Sequence, residues 1–419
     1  MRPIAGLLHR RPWAIAIAMA ILSIGWLLAL PPMPSSAAMR LDKTWTLGSG
    51  VTLTRWYDPT GPIHAFVLKF KPDAAPATFD VGMPAEQLPG EAPTSRIGAS
   101  HRALAAVNGD FGHDRPYHAA AIDGVLWQTG PMHGEAFSVT AAERAVHVGK
   151  GRPRVTAGGP TGTFRIARWN SGSPRGSEIV GYSPRGGSLE DPPGNACSVR
   201  MKQQDRAYWT SGKEAIGRTY SVDAVRCSAD PLPEQDMTVL SVRESASRRQ
   251  LRKIKGLRAG QTIRVRWSMG WPNVLDAIGG RPMLVENGRN VAPTSCTGPL
   301  CGKHPRTGLG VDARGNVLLV VVDGRIDNWS IGMYLNQFGG FFADELNATF
   351  AMNLDGGGSA TMWAAKNGPW CSPKPTGVTN GCVVNYANVG ENFKERPVEN
   401  AALILPGPDR GEQPPPSGP

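Results

Sequence analysis

The segment Ala351–Trp363 constrains the fold of this chain more than any other stretch. It reads AMNLDGGGSATMW: a short apolar run, then Asp355, three glycines and Ser359, then apolar residues again. Short bounded apolar runs are typical of buried strands, and consecutive glycines favour positive φ or a close backbone approach. A carboxylate beside such a turn suits chemistry on a phosphate or a sugar. The alternative is a tight turn between two strands that Asp355 caps.

A second apolar run ends in polar residues in the same way. Leu104 to Val107 lead into Asn108, Gly109, Asp110 and, three residues further, His113. These side chains would stand on a strand-end turn. Since Asn-Gly is also an ordinary hairpin signal, a purely structural turn remains the alternative here.

The rest of the sequence favours strands and turns over helices. It has 51 Gly and 37 Pro among 419 residues, and Ser330 to Leu346 is the one convincing helical stretch. Apolar runs such as Val317 to Val322 indicate buried strands. We therefore predict an α+β fold: a mixed, strand-rich sheet with few helices and the active site on strand-end turns. One domain is expected over residues 39–405, and the Pro/Gly-rich tail 406–419 is expected to be disordered.

Residues 1–38 have the composition of a targeting segment. Arg2, Arg10 and Arg11 precede an uncharged, mostly apolar run from Trp13 to Leu30. We predict an exported protein whose first segment is either a cleaved signal peptide or a retained N-terminal anchor, since the run is just long enough to span a bilayer. Membrane contact is expected only if the segment is retained.

Export makes the cysteines interpretable as disulfides. The six cysteines form three neighbouring pairs, and pairing neighbours closes the shortest loops. We predict the bridges Cys197–Cys227, Cys296–Cys301 and Cys371–Cys382. A zinc site is disfavoured because no C-x-x-C occurs.

Two stretches differ in composition from the rest of the chain. Residues 165–235 are crowded with Ser, Gly, Pro and Arg and are predicted to form a loop-rich insertion that carries its own disulfide. From Arg243 to Arg266 there are nine Arg/Lys and one Glu, a local charge of 9 − 1 = +8, where the whole chain carries +11. Such a patch either meets anionic polymers or surfaces or is an ordinary solvated face. No nucleic-acid motif accompanies it, so no nucleic-acid partner is expected.

Five motifs occur in a specific order between Asn108 and Val398. They are Asn108-Gly109-Asp110-Phe111, Ile278-Gly279-Gly280, His304-Pro305-Arg306-Thr307, Asn353-Leu354-Asp355-Gly356-Gly357-Gly358-Ser359 and Arg396-Pro397-Val398. With these motifs the chain resembles the phosphodiester glycosidases over roughly residues 100–405, although 165–235 match poorly. Family members often carry a Glu on the helix before the glycine turn, where this chain has Asn336-Gln337.

The resemblance implies a catalytic group, consisting of Asp355, Arg306, His304 and Asp110, and a substrate-binding group. Asp355 would act at an oxocarbenium-like centre, either as nucleophile or as the base for water. Arg306 would bind phosphate through its planar fork of donors, with His304 orienting it or protonating the leaving phosphate, and Asp110 would be a partner of Asp355. Asn108 would hold a sugar hydroxyl, and Arg396 would be either a second phosphate contact or a structural arginine. The remaining predicted substrate-binding residues are Thr307, Asn353, Gly356, Gly357, Gly358 and Ser359.

The expected function is hydrolysis of the glycosidic bond of a sugar-1-phosphodiester in a glycan or sugar-phosphate polymer. No cofactor is required by the sequence, and a divalent cation near Asp110 and Asp355 is an option that no ligand spacing demands. Two alternatives stay open: a non-catalytic module that binds envelope polysaccharide, and a metal-dependent phosphodiesterase that cuts the P–O bond. The sugar, the aglycone and the anomeric outcome are not encoded in these motifs.

Overall fold

The central sheet is buried on both faces at its middle strand, Val317–Val322. All six of its residues are buried, and alternate residues enter two different hydrophobic clusters, one on each face of the sheet. A continuous apolar run of this kind is expected for a strand covered on both sides. The computed structural model describes residues 39–48, 50–72, 77–132, 134–140, 145–187, 195–204, 208–209, 216–227, 237–271, 274–295, 297–374 and 377–407.

This central sheet has eight strands, all paired antiparallel. In spatial order they are Arg40–Gly48, Val51–Asp58, Ile63–Phe70, Val317–Val322, Arg306–Asp312, Ala348–Asn353, Met283–Glu286 and Arg289–Asn290. One face packs against other sheets, and the other is covered by Phe338, Phe341 and Phe342. The sheet therefore forms the middle layer on which the other elements are mounted.

Two five-stranded sheets pack beside it. The first consists of Val125–Gln128, Ala120–Ile122, Val274–Gly280, Glu135–Thr140 and Val146–Gly149. The second consists of Cys382–Val383, Met362–Ala364, Ala105–Asn108, Ala401–Pro406 and Ala77–Gly82. Two short pairs accompany them, Ala92–Pro93 with Pro397–Val398 and Gly112–His113 with Arg115–Pro116.

A nine-stranded sheet encloses a separate hydrophobic cluster. Its strands are Phe164–Ile166, Arg154–Gly158, Thr262–Ser268, Ile216–Cys227, Ala196–Gln203, Thr238–Arg243, Ile179–Tyr182 and Arg168–Trp169, with Tyr208–Trp209 paired to Ile216–Cys227. Arg168–Trp169 and Ile179–Tyr182 are parallel, so this sheet is mixed. The predicted α+β, strand-rich class is confirmed.

The described part of 165–235 contains more regular structure than its composition predicts. It bears its disulfide as predicted, but much of it forms strands of the nine-stranded sheet. The reason is that apolar residues such as Val199, Met201 and Tyr220 bury one face of these strands. This alternation was hidden among the Gly, Pro and Arg residues nearby.

Helices are few and short within the described residues. They are Thr94–Ser100, Arg248–Lys255 and Leu335–Gly340, the last continuing as a π-turn over Phe341–Glu345, with 3-10 turns at Pro184–Gly186, Gly357–Ser359 and Val389–Glu391. The helix predicted from Ser330 begins only at Leu335, because Met333 pairs with His304 through the backbone and Ser330 pairs with Ile326. No helix in the described ranges is long and apolar enough to cross a membrane. The predicted segment Trp13 to Leu30 lies outside those ranges, as do residues 408–419.

Two predicted disulfides are present among the described cysteines. Cys197 and Cys227 face each other across adjacent strands and are 30 residues apart in sequence. Cys371 and Cys382 are 11 residues apart. Cys301 is also disulfide-bonded, while its predicted partner Cys296 lies outside the described residues.

Removing either described bridge should destabilise the fold, and the longer loop should matter more. We expect Cys197→Ser/Cys227→Ser to lower the free energy of unfolding by about 2–4 kcal/mol, because the unfolded chain regains loop entropy. Cys371→Ser/Cys382→Ser should cost about 1 kcal/mol less. Urea denaturation of both variants checks the order, and a reversed order would contradict it.

Candidate active site

The turn Asp355–Ser359, here called the triglycine turn, carries the chain from one sheet to another. It follows the strand Ala348–Asn353 of the central sheet and precedes Met362–Ala364 of the second five-stranded sheet. Gly357 has φ +61°, a conformation that side chains disfavour. The turn therefore lies at a junction where strand ends of two sheets meet.

Asn108 fastens this junction. It ends the strand Ala105–Asn108 and is fully buried. Its Oδ1 accepts hydrogen bonds from Thr307 Oγ1 (2.6 Å) and from the Thr361 N–H (3.0 Å), and its Nδ2 donates to the Asp355 carbonyl (2.8 Å). The side chain thus links three strand ends, and this geometry favours a structural role over contact with a sugar hydroxyl.

The two other predicted polar contacts are buried in the same junction. Thr307 donates to Asn108, as described above. Asn353 Nδ2 donates to the carbonyls of Arg281 (2.9 Å) and Leu354 (2.7 Å). Both side chains therefore bond to protein groups that position the triglycine turn.

Asp355 is half-buried at the start of the turn. Its Oδ1 accepts the Gly356 N–H at 2.9 Å, and its backbone N–H donates to the Gly109 carbonyl at 3.1 Å. Burial raises the pKa of Asp355 above its ordinary value, against the hydrogen bonds from Ser359 and Gly356 and the charge of Arg396. The negative charge of Asp110 adds to the rise. The turn thus presents a carboxylate that is partly desolvated.

Glu399 is a second carboxyl group in the electrostatic field of Asp355. Burial raises the pKa of Glu399 to about 8, and the neighbouring carboxylates Glu91, Asp355 and Asp110 add to the effect. Its side chain lies over Gly112, where a Cβ would be 2.5 Å from the Glu399 carboxyl carbon. Neighbouring carboxyl groups whose environments shift their pKa values to different extents are the basis of acid–base division in many hydrolases.

Asp110 is bonded to a histidine rather than directed at open space. His118 Nδ1 lies 2.6 Å from Asp110 Oδ1, and the His118 N–H donates to Asp110 Oδ2 at 2.8 Å. Both residues are buried, and the Asp110 N–H donates to Asn400 Oδ1 at 2.8 Å. Asp110 therefore holds His118 in place, while its charge still acts on Asp355.

Glycines of the Ile278-Gly279-Gly280 motif make room for this arrangement. A Cβ on Gly279 would lie 2.2 Å from His118 Cβ and 3.3 Å from Asp110 Oδ2. On Gly280 it would lie 2.5 Å from the Asn353 carbonyl oxygen. This motif is therefore explained by close packing around the site.

The backbone of Arg306 belongs to the central sheet beside the triglycine turn, whereas its guanidinium group bonds to carbonyl groups of other segments. The side chain is buried and donates to the carbonyls of Met333 (2.9 Å), Leu300 (2.9 Å) and Gly302 (2.6 Å). Burial lowers the pKa of Arg306 to about 10, and the charge of Arg325 contributes. These contacts favour a structural role in holding the loop before it, not the predicted grip on phosphate.

His304 lies two residues before Arg306, next to these hydrogen bonds. It pairs with Met333 through the backbone. Burial lowers the pKa of His304, and the charges of Arg306 and Arg325 lower it further. The His304 imidazole therefore binds a proton less readily than a free imidazole does.

Two other guanidinium groups flank the triglycine turn. A Cβ on Gly357 would lie 3.0 Å from Arg325 Nη2, and a Cβ on Gly358 would lie 2.5 Å from Arg396 Nη2. Both arginines are exposed, and Arg325 has φ +65°, an uncommon backbone conformation for a non-glycine residue. Donors suited to a phosphate therefore border the turn on two sides.

The main-chain N–H groups of the turn are mostly engaged. The Gly356 N–H donates to Asp355, the Gly357 N–H to the Pro305 carbonyl (2.9 Å) and the Ser359 N–H to the Gly356 carbonyl (3.1 Å). At Gly356, Gly357 and Ser359 the predicted anion contact would require these bonds to break. The side chains of Arg325 and Arg396 are thus better placed donors.

The position that departs from the family pattern makes its hydrogen bonds around the helix Leu335–Gly340. Gln337 Oε1 accepts the Tyr334 N–H at 3.1 Å, and the Asn336 carbonyl accepts from Asn290 at 2.8 Å. Both contacts cap or brace the helix Leu335–Gly340. The two residues serve the helix in this chain.

Ligand atoms for a cation cluster elsewhere within the described residues. The acidic groups Asp80, Asp123 and Asp276, and Glu91 with His113 and Asp114, each bring ligand atoms within 4.8 Å of one another. Neither group contains Asp110 or Asp355, and both oxygens of Asp110 already contact His118.

Sequence reasoning missed His118, Arg325 and Glu399. Glu399 directly follows the Arg396-Pro397-Val398 motif, so its place beside that motif was a usable signal. His118 stands eight residues after Asp110, and no local pattern marks it. Arg325 follows the Asp-Gly that ends the strand Val317–Val322, where only a turn was predicted.

Comparison with known proteins places this geometry in a family context. Residues 224–405 match the family model described as phosphodiester glycosidase, so the resemblance predicted from the motifs is confirmed over that range. Asn108, Asp110 and His118 lie before the matched range. Among curated proteins, none has a significant sequence match to this chain.

Solved structures share the fold at low sequence identity. A hypothetical protein from Synechocystis superposes with a TM-score of 0.64 at 18% identity, covering 87% of this chain and 63% of that protein. A protein from Burkholderia pseudomallei K96243 described as exported gives a TM-score of 0.57 at 19% identity, covering 83% and 75%. The catalytic domain of zebrafish N-acetylglucosamine-1-phosphodiester alpha-N-acetylglucosaminidase, auto-inhibited by its pro-peptide, gives 0.40 at 14% identity, covering 89% and 85%. This chain spans less than two thirds of the Synechocystis protein.

Substitutions of Arg306 and Arg396 should have different effects on the free energy of unfolding. We expect Arg306→Gln to lower the free energy of unfolding by about 2–4 kcal/mol, because carbonyl groups in the protein interior lose their donor. The exposed Arg396→Gln should stay within about 0.5 kcal/mol of the parent protein. Urea denaturation measures both. If both substitutions changed the free energy of unfolding by equally small amounts, a structural role for Arg306 would be contradicted, and Arg306 would again be a candidate phosphate ligand.

The buried carboxyl of Glu399 should make stability depend on pH. Its folded pKa of about 8 exceeds its ordinary 4.5, so the folded state holds a proton that the unfolded state releases. The stabilisation of the folded state by this protonated carboxyl is fully present below pH 4.5, and it is lost as the pH rises to 8. We expect Glu399→Gln to flatten the stability profile in that window. Denaturation midpoints between pH 5 and 8 test this, and parallel profiles would contradict it.

Proposed function

We propose that this protein is an exported hydrolase that cleaves the glycosidic bond of a sugar-1-phosphodiester in a glycan or envelope polymer. The observation that carries the proposal is the position of Asp355, a partly buried carboxylate on a glycine turn that Arg325 and Arg396 border. The family match over residues 224–405 supports the same reaction class. An anionic phosphate beside a carboxylate needs such positive charges to be held.

The proposed substrate lies across the triglycine turn. Its phosphate takes donors from Arg325 and Arg396, which places the anomeric carbon near Asp355. The C–O bond at that carbon breaks, and the electron pair leaves with the phosphate oxygen. Asp355 stabilises the oxocarbenium-like centre, either as nucleophile or as the base that takes a proton from water. The products are a free sugar and a phosphomonoester.

Glu399 has a defined part in this proposal. Because its raised pKa keeps it protonated near neutral pH, it adds no negative charge against the incoming phosphate. It also offers a proton to the departing oxygen, although a phosphate leaves readily without one. His118 and Asp110 form the buried support behind these groups.

Export is supported by the disulfides, because such bonds persist in oxidising compartments. The apolar segment Trp13 to Leu30 supports the same conclusion from sequence, either as a signal peptide or as a tether. The proposed partners are a glycan or sugar-phosphate polymer. A divalent cation is not part of the proposed reaction, and parallel assays with a chelator test that choice.

Replacing Asp355 tests the proposal directly. We expect Asp355→Asn to lower kcat on an aryl or sugar-1-phosphodiester at least about a thousandfold while ligand affinity changes only a few-fold, because the carboxylate acts mainly in the transition state. Asp327→Asn, an exposed carboxylate in the loop that carries Arg325, is the matched control and should keep full activity.

Hydrolysis in ¹⁸O-water identifies the bond that breaks. Label in the free sugar supports glycosidic cleavage. Label in the phosphate would mean that a phosphodiesterase cuts the P–O bond, and absence of turnover by the parent protein with retained binding would mean a binding module.

A further inference from the structure

The outer face of the nine-stranded sheet carries a group of arginines that the proposed reaction does not use. In the strand Thr262–Ser268, the side chains of Ile263, Val265 and Trp267 are buried, so Arg264 and Arg266 point outward. The adjacent strands Arg154–Gly158 and Phe164–Ile166 follow the same alternation. They add Arg154 and Arg165, which are exposed as well.

The guanidinium groups of these four arginines have no partners among the described residues. Neither a hydrogen bond nor an ion pair engages these groups there, and their three strands contain no acidic residue. Elsewhere on the surface, arginines pair with carboxylates, as in Arg55–Asp42 and Arg200–Asp223. A set of uncompensated guanidinium groups on adjacent strands creates a local positive potential.

The face is concave at this point. A cleft of about 480 Å³ is lined by Arg264 and Arg266 together with the backbone and small side chains of the hairpin that joins the two adjacent strands. Arg266 stands opposite Thr156 and Arg264 opposite Gly158, so small residues leave the cleft open beside the guanidinium groups. The two arginine Cα atoms are about 7 Å apart along one strand, which sets a row of donors rather than a single point.

We propose that this face, defined by Arg154, Arg165, Arg264 and Arg266, is a second binding surface for an anionic polysaccharide, the polymer that carries the scissile phosphodiester. The inference rests on the proposed function for the identity of the polymer. Its own basis is charge complementarity: guanidinium donors in a cleft whose lining contains no acidic residue fit the repeated anionic groups of a glycan chain. The surface raises the local concentration of polymer and has no part in the bond that breaks.

Binding of sulfated dextran by the full chain carrying Asp355→Asn tests this, with neutral dextran of equal length as the reference. We expect salt-sensitive binding of the sulfated polymer only. Arg264→Thr/Arg266→Thr should weaken it roughly ten- to thirtyfold, on the scale of about 1 kcal/mol per arginine near an anionic surface. The matched control is Arg248→Gln/Arg249→Gln, which removes two exposed charges from the helix Arg248–Lys255 and should change the affinity less than threefold.

Several results would contradict the proposal that this face binds polymer, without contradicting the proposed reaction. They are equal losses in both double variants, absence of binding, or tighter binding of a single-stranded oligonucleotide or of anionic lipid vesicles than of sulfated dextran. Turnover of a low-molecular-weight sugar-1-phosphodiester by Arg264→Thr/Arg266→Thr reports the other site and should equal that of the parent protein. Loss of that turnover would also contradict a separate surface, whereas inactivity of the parent protein bears on the proposed reaction alone.

Discussion

The buried amide of Asn108 is the contact on which the rest of the site depends. With one side chain it holds Thr307 of the central sheet, Thr361 beside the second five-stranded sheet, and the Asp355 carbonyl between them. A buried amide that lost these partners would leave several polar groups unsatisfied, so the arrangement has little freedom to shift. The position of the Asp355 carboxylate is therefore a consequence of how two sheets are joined.

Rigid support and accessible chemistry are divided between different residues. Buried side chains such as Asn108, Asp110 and Arg306 make their bonds within the protein. Arg325 and Arg396 remain exposed at the rim of the triglycine turn. In the proposed reaction, this division lets the buried motif arginine Arg306 support the shape of the site while exposed arginines on neighbouring loops contact the phosphate.

Sequence alone predicted the strand–turn–strand course around the triglycine turn, the strand-rich class, and two disulfides that each join neighbouring cysteines of the sequence. Those features depend on local alternation, glycine chemistry and short loop closure, which a sequence displays directly. The direction of the Arg306 side chain could not be predicted, because its acceptors lie on the loop before it and on Met333. His118 was likewise invisible, since its importance arises only from its contact with Asp110.

The most direct test of the central claim is a crystal structure of the Asp355→Asn protein with a sugar-1-phosphodiester bound. We expect the anomeric carbon beside residue 355 and the phosphate in contact with Arg325 and Arg396. A diester bound away from the triglycine turn, or a phosphate held by Arg306 after its carbonyl contacts break, would contradict it.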